Sequence, residues 1–405
     1  MKRLIDRFFN TNDIPVGSRL ITTITAIRWA GWGFAETLIP ILIYSLTSTF
    51  AQAGLLRSTY DIGLILTLPI IGVIADKVKA TTIILVGLVL YLFVGTSYLL
   101  AGTAGLVIFI VIARSLNGVS YALDSVGRET YFRRHTPVEK IATVFGYFDT
   151  VANFWWMITA LAGIILIKYF SIPWLLFLIV PTSLISFIIL WRFKRREDVD
   201  IITTPLFAKE KRKVFKDFKE WNWTLKSLIV FNFFIASAST VIAFFLPIEV
   251  YKEGGDLSLV VIMGVVATVP TLFGWILGKW FDIKGSKVFS YGLLGFAVLL
   301  FSLVFFHGYI WQLLVSFLVG VILELLSVGS SELVTAHANP EHFGRIGGVI
   351  RSISNIGSIV GPLAVGVLMD SYGINSGYLV LAIIMFLLAI SFRIIQRNKN
   401  PNYSI

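Results

Sequence analysis

The chain has 405 residues, of which 57% are apolar and only 14% charged, with a mean hydropathy of +0.84. A soluble domain carries about 25% charged residues, so a water-facing surface is excluded over most of the chain and lipid must be its solvent. The lack of cysteine excludes disulfides, thiolate metal sites and cysteine nucleophiles, and the four histidines (His135, His307, His337, His342) show no metal-ligand spacing, so no cofactor or metal is expected.

A basic, polar start, MKRLIDRFFNTNDIPVGSR, precedes an apolar run too long for a signal peptide. Crossing a bilayer takes about 20 apolar residues, and twelve such runs follow: 18–47, 52–75, 81–101, 105–127, 142–168, 172–193, 225–248, 257–280, 287–307, 309–335, 345–369 and 375–393. The long polar stretch 194–224 divides them, which predicts an all-α integral membrane protein with an N-terminal six-helix bundle (1–193), a linker (194–224) and a C-terminal six-helix bundle (225–405). Within the linker, Lys211 to Trp223 interleaves aromatic and basic residues and reads either as an amphipathic helix on the membrane surface or as a tether. With both termini cytoplasmic, 28 of the 34 Lys and Arg fall on the inner side and two, Lys168 and Lys252, on the outer side. This is a strong positive-inside bias. The net charge of +11 therefore orients the chain and meets anionic lipid rather than nucleic acid, and the expected location is the cytoplasmic membrane of a prokaryote. At an offset of 202 residues, Ser125-Val126-Gly127 matches Ser327-Val328-Gly329, His135 matches His337, Gly146 matches Gly348 and Asn153 matches Asn355, the mark of a duplicated six-helix unit.

The candidate functional residues follow in chain order. In the first run, Arg28 and Glu36 are eight residues apart, about 12 Å along a helix, with Trp29 and Trp32 nearby. Glu36 reads as a proton acceptor, a contact for a cationic substrate, or the partner of an ion pair with Arg28 or another helix. The loop after the second run contains Gly72, Asp76, Lys77 and Lys79. The fourth run places Arg114, Asn117, Tyr121 and Asp124 at spacings of three and four, on one face. An arginine inside the membrane must face a cavity or a partner. Asp149 in the fifth run and Arg351 in the eleventh are equivalent under the 202-residue offset and opposite in charge, which reads as gating or as neutralisation. The loop after the eighth run contains Gly278, Asp282 and Lys284. The tenth run contains Glu324, and the eleventh holds Gly357, Gly361, Pro362 and Gly366.

The loops Gly72-x-x-x-Asp76-Lys77 and Gly278-x-x-x-Asp282-x-Lys284 resemble the signature loop of the major facilitator superfamily, although Lys79 stands where that family usually has glycine. The resemblance implies two bundles rocking about a central site, with Asp76 and Asp282 holding closed states. Arg114-x-x-Asn117-Gly118 resembles the fourth-helix motif Arg-x-x-Gln-Gly of proton-coupled antiporters in that family. The Gly357-x-x-x-Gly361-Pro362 stretch resembles a motif those antiporters carry on the fifth helix, but here it lies on the eleventh, where it also reads as a packing surface. Multidrug/proton antiporters carry an acidic residue on the first helix, which points to Glu36. The implied function is proton-coupled export of small organic or drug-like molecules by alternating access, by a monomer with no enzymatic activity. Arg28, Glu36, Arg114, Asn117, Tyr121 and Glu324 would handle substrate and protons. The alternative is uptake or exchange of a metabolite (an organic anion, sugar or amino acid), with Arg28 and Arg114 clamping a carboxylate or phosphate.

Overall fold

The computed structural model describes residues 14–75, 77–137, 140–194, 221, 223–274, 277, 287–337 and 343–399. Among the described residues it is helical, in the order α1 (Val16–Gly33), α2 (Ile39–Ser45), α3 (Phe50–Ala75), α4 (Ala80–Ala104), α5 (Val107–His135), α6 (Ile141–Leu166), α7 (Ile172–Phe177) and α8 (Ile179–Lys194). There follow α9 (Trp223–Lys252), α10 (Leu257–Thr268), α11 (Lys287–Phe305), α12 (Tyr309–His337), α13 (Phe343–Tyr372) and α14 (Ile374–Lys399). All twelve apolar runs have a helical counterpart. Among the described residues ten are long and apolar enough to cross a membrane, with α7 and α8 forming one span.

The two remaining runs are interrupted, which the sequence does not predict. The first breaks after α1 into a 3-10 turn, Glu36–Leu38, before α2 resumes. Pro40 sits in the first turn of α2. It has no N–H to continue the ladder of α1 and tolerates only the start of a helix. The eighth run tightens after α10 into a 3-10 turn, Val269–Phe273, with Pro270 at its start.

The chain forms two compact units, Met1–Leu46 with Thr59–Leu206 and Thr47–Ser58 with Phe207–Ile405. The first residues of α3 thus belong to the second unit and the rest of the helix to the first. In the first unit α4 packs along α5, and α1 packs against α6 and α8. Its interior is aromatic: Trp32 lies edge-on to Tyr91 and Tyr98, each at 6.1 Å, and Phe132 contacts Phe145 and Phe148. In the second unit α9 packs along α13, and α11 against α14 and α12. There Phe231, Phe289 and Phe392 form a trio with centroids 5.0–6.3 Å apart.

Candidate functional site

The fourth-run motif sits on α5, in the interior of the first unit. Arg114, Asn117 and Asp124 are buried and Tyr121 is half-buried, so the spacing of three and four does define one inward face. Gly118 has a packing reason: a Cβ there would strike the Tyr60 carbonyl of α3. That close approach brings the Tyr60 ring under the Arg114 guanidinium, at 4.9 Å, and within 6.2 Å of the Tyr121 ring. Asp61 and Tyr98 also neighbour Arg114.

One turn further along α5, Arg28 donates to the Asp124 carboxylate at 2.8 Å. Both residues are only 1% exposed. Arg128, four residues after Asp124, binds the same oxygen. The two guanidiniums also lie over aromatic faces, Arg28 over Tyr91 at 4.5 Å and Arg128 over Phe148 at 4.1 Å. The result is a sealed Arg–Asp–Arg cluster that ties α1 to α5. Arg28 therefore finds its direct ion-pair partner in Asp124, 96 residues away, rather than in Glu36. Arg128 corrects the charge count as well: it is 5% exposed inside a helix, not a loop charge, because α5 runs on to His135, well past the apolar run that ends at 127.

Glu36 has a different setting. It opens the 3-10 turn at the break after α1, its side chain is exposed, and one carboxylate oxygen accepts the indole N–H of Trp156 at 2.7 Å. Two glycines set this geometry. A Cβ on Gly33 would strike Thr159 and the Trp156 carbonyl of α6, and one on Gly163 would strike the Phe34 carbonyl. α1 and α6 can therefore touch backbone to backbone at the break, which delivers Trp156 to Glu36. Phe154 and Trp155, both 38% exposed, lie on the same stretch of α6.

In the second unit the Gly357/Gly361/Pro362 stretch of α13 is a packing surface on two sides. Towards α9, Gly357 faces the Phe233 carbonyl and Gly361 faces Ser237, while the Ser237 hydroxyl donates to the Gly357 carbonyl at 2.9 Å. Towards the first residues of α3, Pro362 meets Gly54, and Gly366 meets Phe50. The Ser58 hydroxyl donates to the Ile359 carbonyl at 2.9 Å. The start of α3 is capped by Asp370, whose two carboxylate oxygens accept the Phe50 and Ala51 N–H groups, each at 2.8 Å. Those N–H groups have no partner within their own helix, and the positive end of the helix dipole favours a carboxylate there. The Phe50 ring lies under the Lys252 ammonium at 4.9 Å and beside Phe245. Glu324 of α12 is half-buried, with its carboxylate against Gly274.

The remaining predicted residues separate by position. Asp149 and Arg351 are both exposed, on α6 and α13. Lys77 is exposed, and around Gly72 there is open space where close helix contact is expected. Asp76, Gly278, Asp282, Lys284 and most of the linker lie outside the described residues. Sequence reasoning missed Trp156, Arg128, Asp370 and the Glu249–Glu253 pair at the end of α9. For the last three the signal was there: each is a charge at the margin of an apolar run, easily assigned to a loop.

Comparison with known proteins agrees with this architecture. A family model described as Major Facilitator Superfamily matches residues 21–349 and 283–404. Quinolone resistance protein NorA of Staphylococcus aureus is 23% identical over 350 residues, covering 84% of this chain and 86% of that protein. Multidrug resistance protein MdtG of Escherichia fergusonii is 29% identical over 182 residues, 43% of this chain and 45% of that protein. Among solved structures, the nucleoside transporter NupG superposes with a TM-score of 0.73 at 16% identity, over 95% of this chain and 100% of that one. A bacterial homolog of the human lysosomal transporter Spinster gives 0.72 at 15% identity, over 93% and 95%. At these identities the structural likeness concerns the fold.

Proposed function

The chain belongs to the Major Facilitator Superfamily, and from that premise we propose that this transporter exports small organic, cation-bearing molecules in exchange for protons. The observation that carries the reading is Glu36: an exposed carboxylate in the first apolar run, at a break in its helix, with one oxygen accepting the Trp156 indole N–H. A carboxylate in that position can bind a cation or a proton, but not both at once, which is the minimum requirement for exchange. The Trp156 ring beside it suits a lipophilic cation. The multidrug and quinolone resistance names of MdtG and NorA support small drug-like molecules as the cargo.

The metabolite alternative rests on Arg28 and Arg114 as clamps for an anion. Arg28 is sealed against Asp124 and Arg114 is buried over Tyr60, so export of cations is the better-supported reading. In this scheme the clasp between Asp370 and the start of α3 forms and breaks during alternating access, and the termini face the cytoplasm as the charge bias expects.

The test is uptake of a fluorescent lipophilic cation into proteoliposomes under an imposed pH gradient. Flux should follow the gradient in the wild type. Glu36→Gln should lose gradient-driven flux and bind the cation more weakly, since the neutral amide offers no charge to either the proton or the cation. Wild-type flux indifferent to the gradient would sink proton coupling, and unchanged driven flux in Glu36→Gln would remove Glu36 from it.

A further inference from the structure

Away from the break in the first span, one cluster of the second unit has no part in the reading above. Helix α9 ends in a Schellman motif: Gly254 takes a φ of 91°, its N–H bonds the Tyr251 carbonyl, and the Gly255 N–H reaches back to Val250. This places Glu249 on the last turn of the helix and Glu253, four residues on, just past its end. Two carboxylates at that spacing repel each other. They also stand at the negative end of the helix dipole, where a cation and not an anion is favoured.

The neighbouring side chains are arranged around them. The turn between α11 and α12 brings the His307 imidazole Nδ1 to 3.8 Å from a Glu253 oxygen. One ligand atom each from Glu249, Glu253 and His307 can be chosen so that all lie within 4.8 Å of one another. Tyr378, fully buried on α14, donates its hydroxyl to Glu249 at 2.8 Å and fixes that carboxylate. The Tyr309 hydroxyl bonds the Glu253 carbonyl, and Gln312 donates its amide nitrogen to the Glu253 carboxylate at 3.0 Å. Gln312 is 1% exposed, and the oxygen of the same carboxamide is buried with no hydrogen-bond partner. This unsatisfied oxygen belongs to the side chain that bonds Glu253, on the same carboxamide carbon as the nitrogen that does so, and a cation held by the carboxylates could complete it.

We propose that Glu249, Glu253 and His307 bind a divalent transition-metal ion of the zinc class, with the Gln312 carboxamide oxygen as a fourth donor or an outer partner. Two carboxylates and an imidazole are a donor set that zinc accepts, whereas magnesium and calcium prefer all-oxygen shells. Zinc bonds of about 2.0–2.2 Å need the ligand atoms drawn closer together than they stand. The exposed Glu253 and His307 side chains can supply that movement. Glu249, fixed by Tyr378, is the anchor on which the others close. The residues come from α9 and from a turn some fifty positions later, so no ligand spacing along the chain announces the site. Its occupancy would pin the end of α9 to the α11–α12 turn, next to Lys252 and Phe50.

The experiment is calorimetric titration of Zn2+ into the full-length transporter, purified without a histidine tag, with thermal melting as a second readout. The expected result is one saturable site per chain and a melting temperature that rises with Zn2+. Affinity should fall by at least ~10-fold in His307→Ala and Glu253→Gln, since even an outer-shell partner is worth that much. Both side chains are partly exposed, so these variants should melt like the wild type without metal. Absence of a saturable one-to-one site overturns the proposal. So does binding that persists unchanged in the double variant His307→Ala/Glu253→Gln, which would assign the metal to other groups.

Discussion

The two six-helix units hold their interiors together with different chemistry. The first is tied by full charges, with Arg28 and Arg128 on Asp124 and Arg114 over Tyr60. In the second, Tyr378 holds the buried Glu249 carboxylate without a guanidinium, and hydroxyls, amides and glycine contacts do the rest: Ser237 to the Gly357 carbonyl, Thr240 to Ser358, and Asn232 to Ser330. The difference teaches that a charge inside a membrane span is not by itself a transport residue. Asp124 is buried between two guanidiniums and acts as a strut, whereas Glu36 in the same unit is exposed and accepts the Trp156 indole N–H.

The largest effect should come from the strut. Asp124→Leu leaves two guanidiniums buried without their counter-charge, and breaking a buried pair costs about 3–5 kcal/mol. Thermal melting in detergent should show the loss, and an unchanged melt would mean that the cluster does not hold the unit together. Next is Gly361→Val in the second unit, where the new side chain must displace the Ser237 backbone. Overpacking of that kind costs about 1–3 kcal/mol. A milder loss for Gly361→Val than for Gly361→Ala would contradict the close packing of α13 on α9. Ser237→Ala removes one neutral hydroxyl bond, worth about 0.6 kcal/mol in membrane helices. A loss as large as that of Asp124→Leu would erase the contrast between the two interiors. The smallest change in stability belongs to Glu36→Gln, within about 0.5 kcal/mol, because the amide oxygen can still accept the Trp156 indole. Melting data that show Glu36→Gln to be as damaging as Asp124→Leu would make both carboxylates struts.

Much of this architecture can be read in the residues. The twelve apolar runs become helices because lipid leaves the backbone no other partner than itself, and hydropathy reports that constraint directly. The face Arg114/Asn117/Tyr121/Asp124 is equally visible, since helical periodicity fixes it. What stays hidden is which charge finds which. The Arg28–Asp124 contact joins positions 96 apart, and nothing local distinguishes Asp124 from Glu36 as the partner. The breaks at Pro40 and Pro270 show the other limit. Each proline is visible, but hydropathy averages over it and reports one uninterrupted span. Trp156 is one of several tryptophans in apolar runs, and only the contact of Gly33 and Gly163 across α1 and α6 singles it out.

The cap that Asp370 provides for α3 has a consequence for populations. Hydrogen bonds to a charged group contribute about 1.5–3 kcal/mol, so in the transport scheme proposed above the clasped form of this helix end outweighs the released one by roughly 10- to 100-fold. Such a bias is large enough to define a resting state and small enough for one bound ligand to reverse. On that scheme the length of time the chain waits between turnovers is written in a single carboxylate, and neutralising it should change the waiting time without changing what is carried.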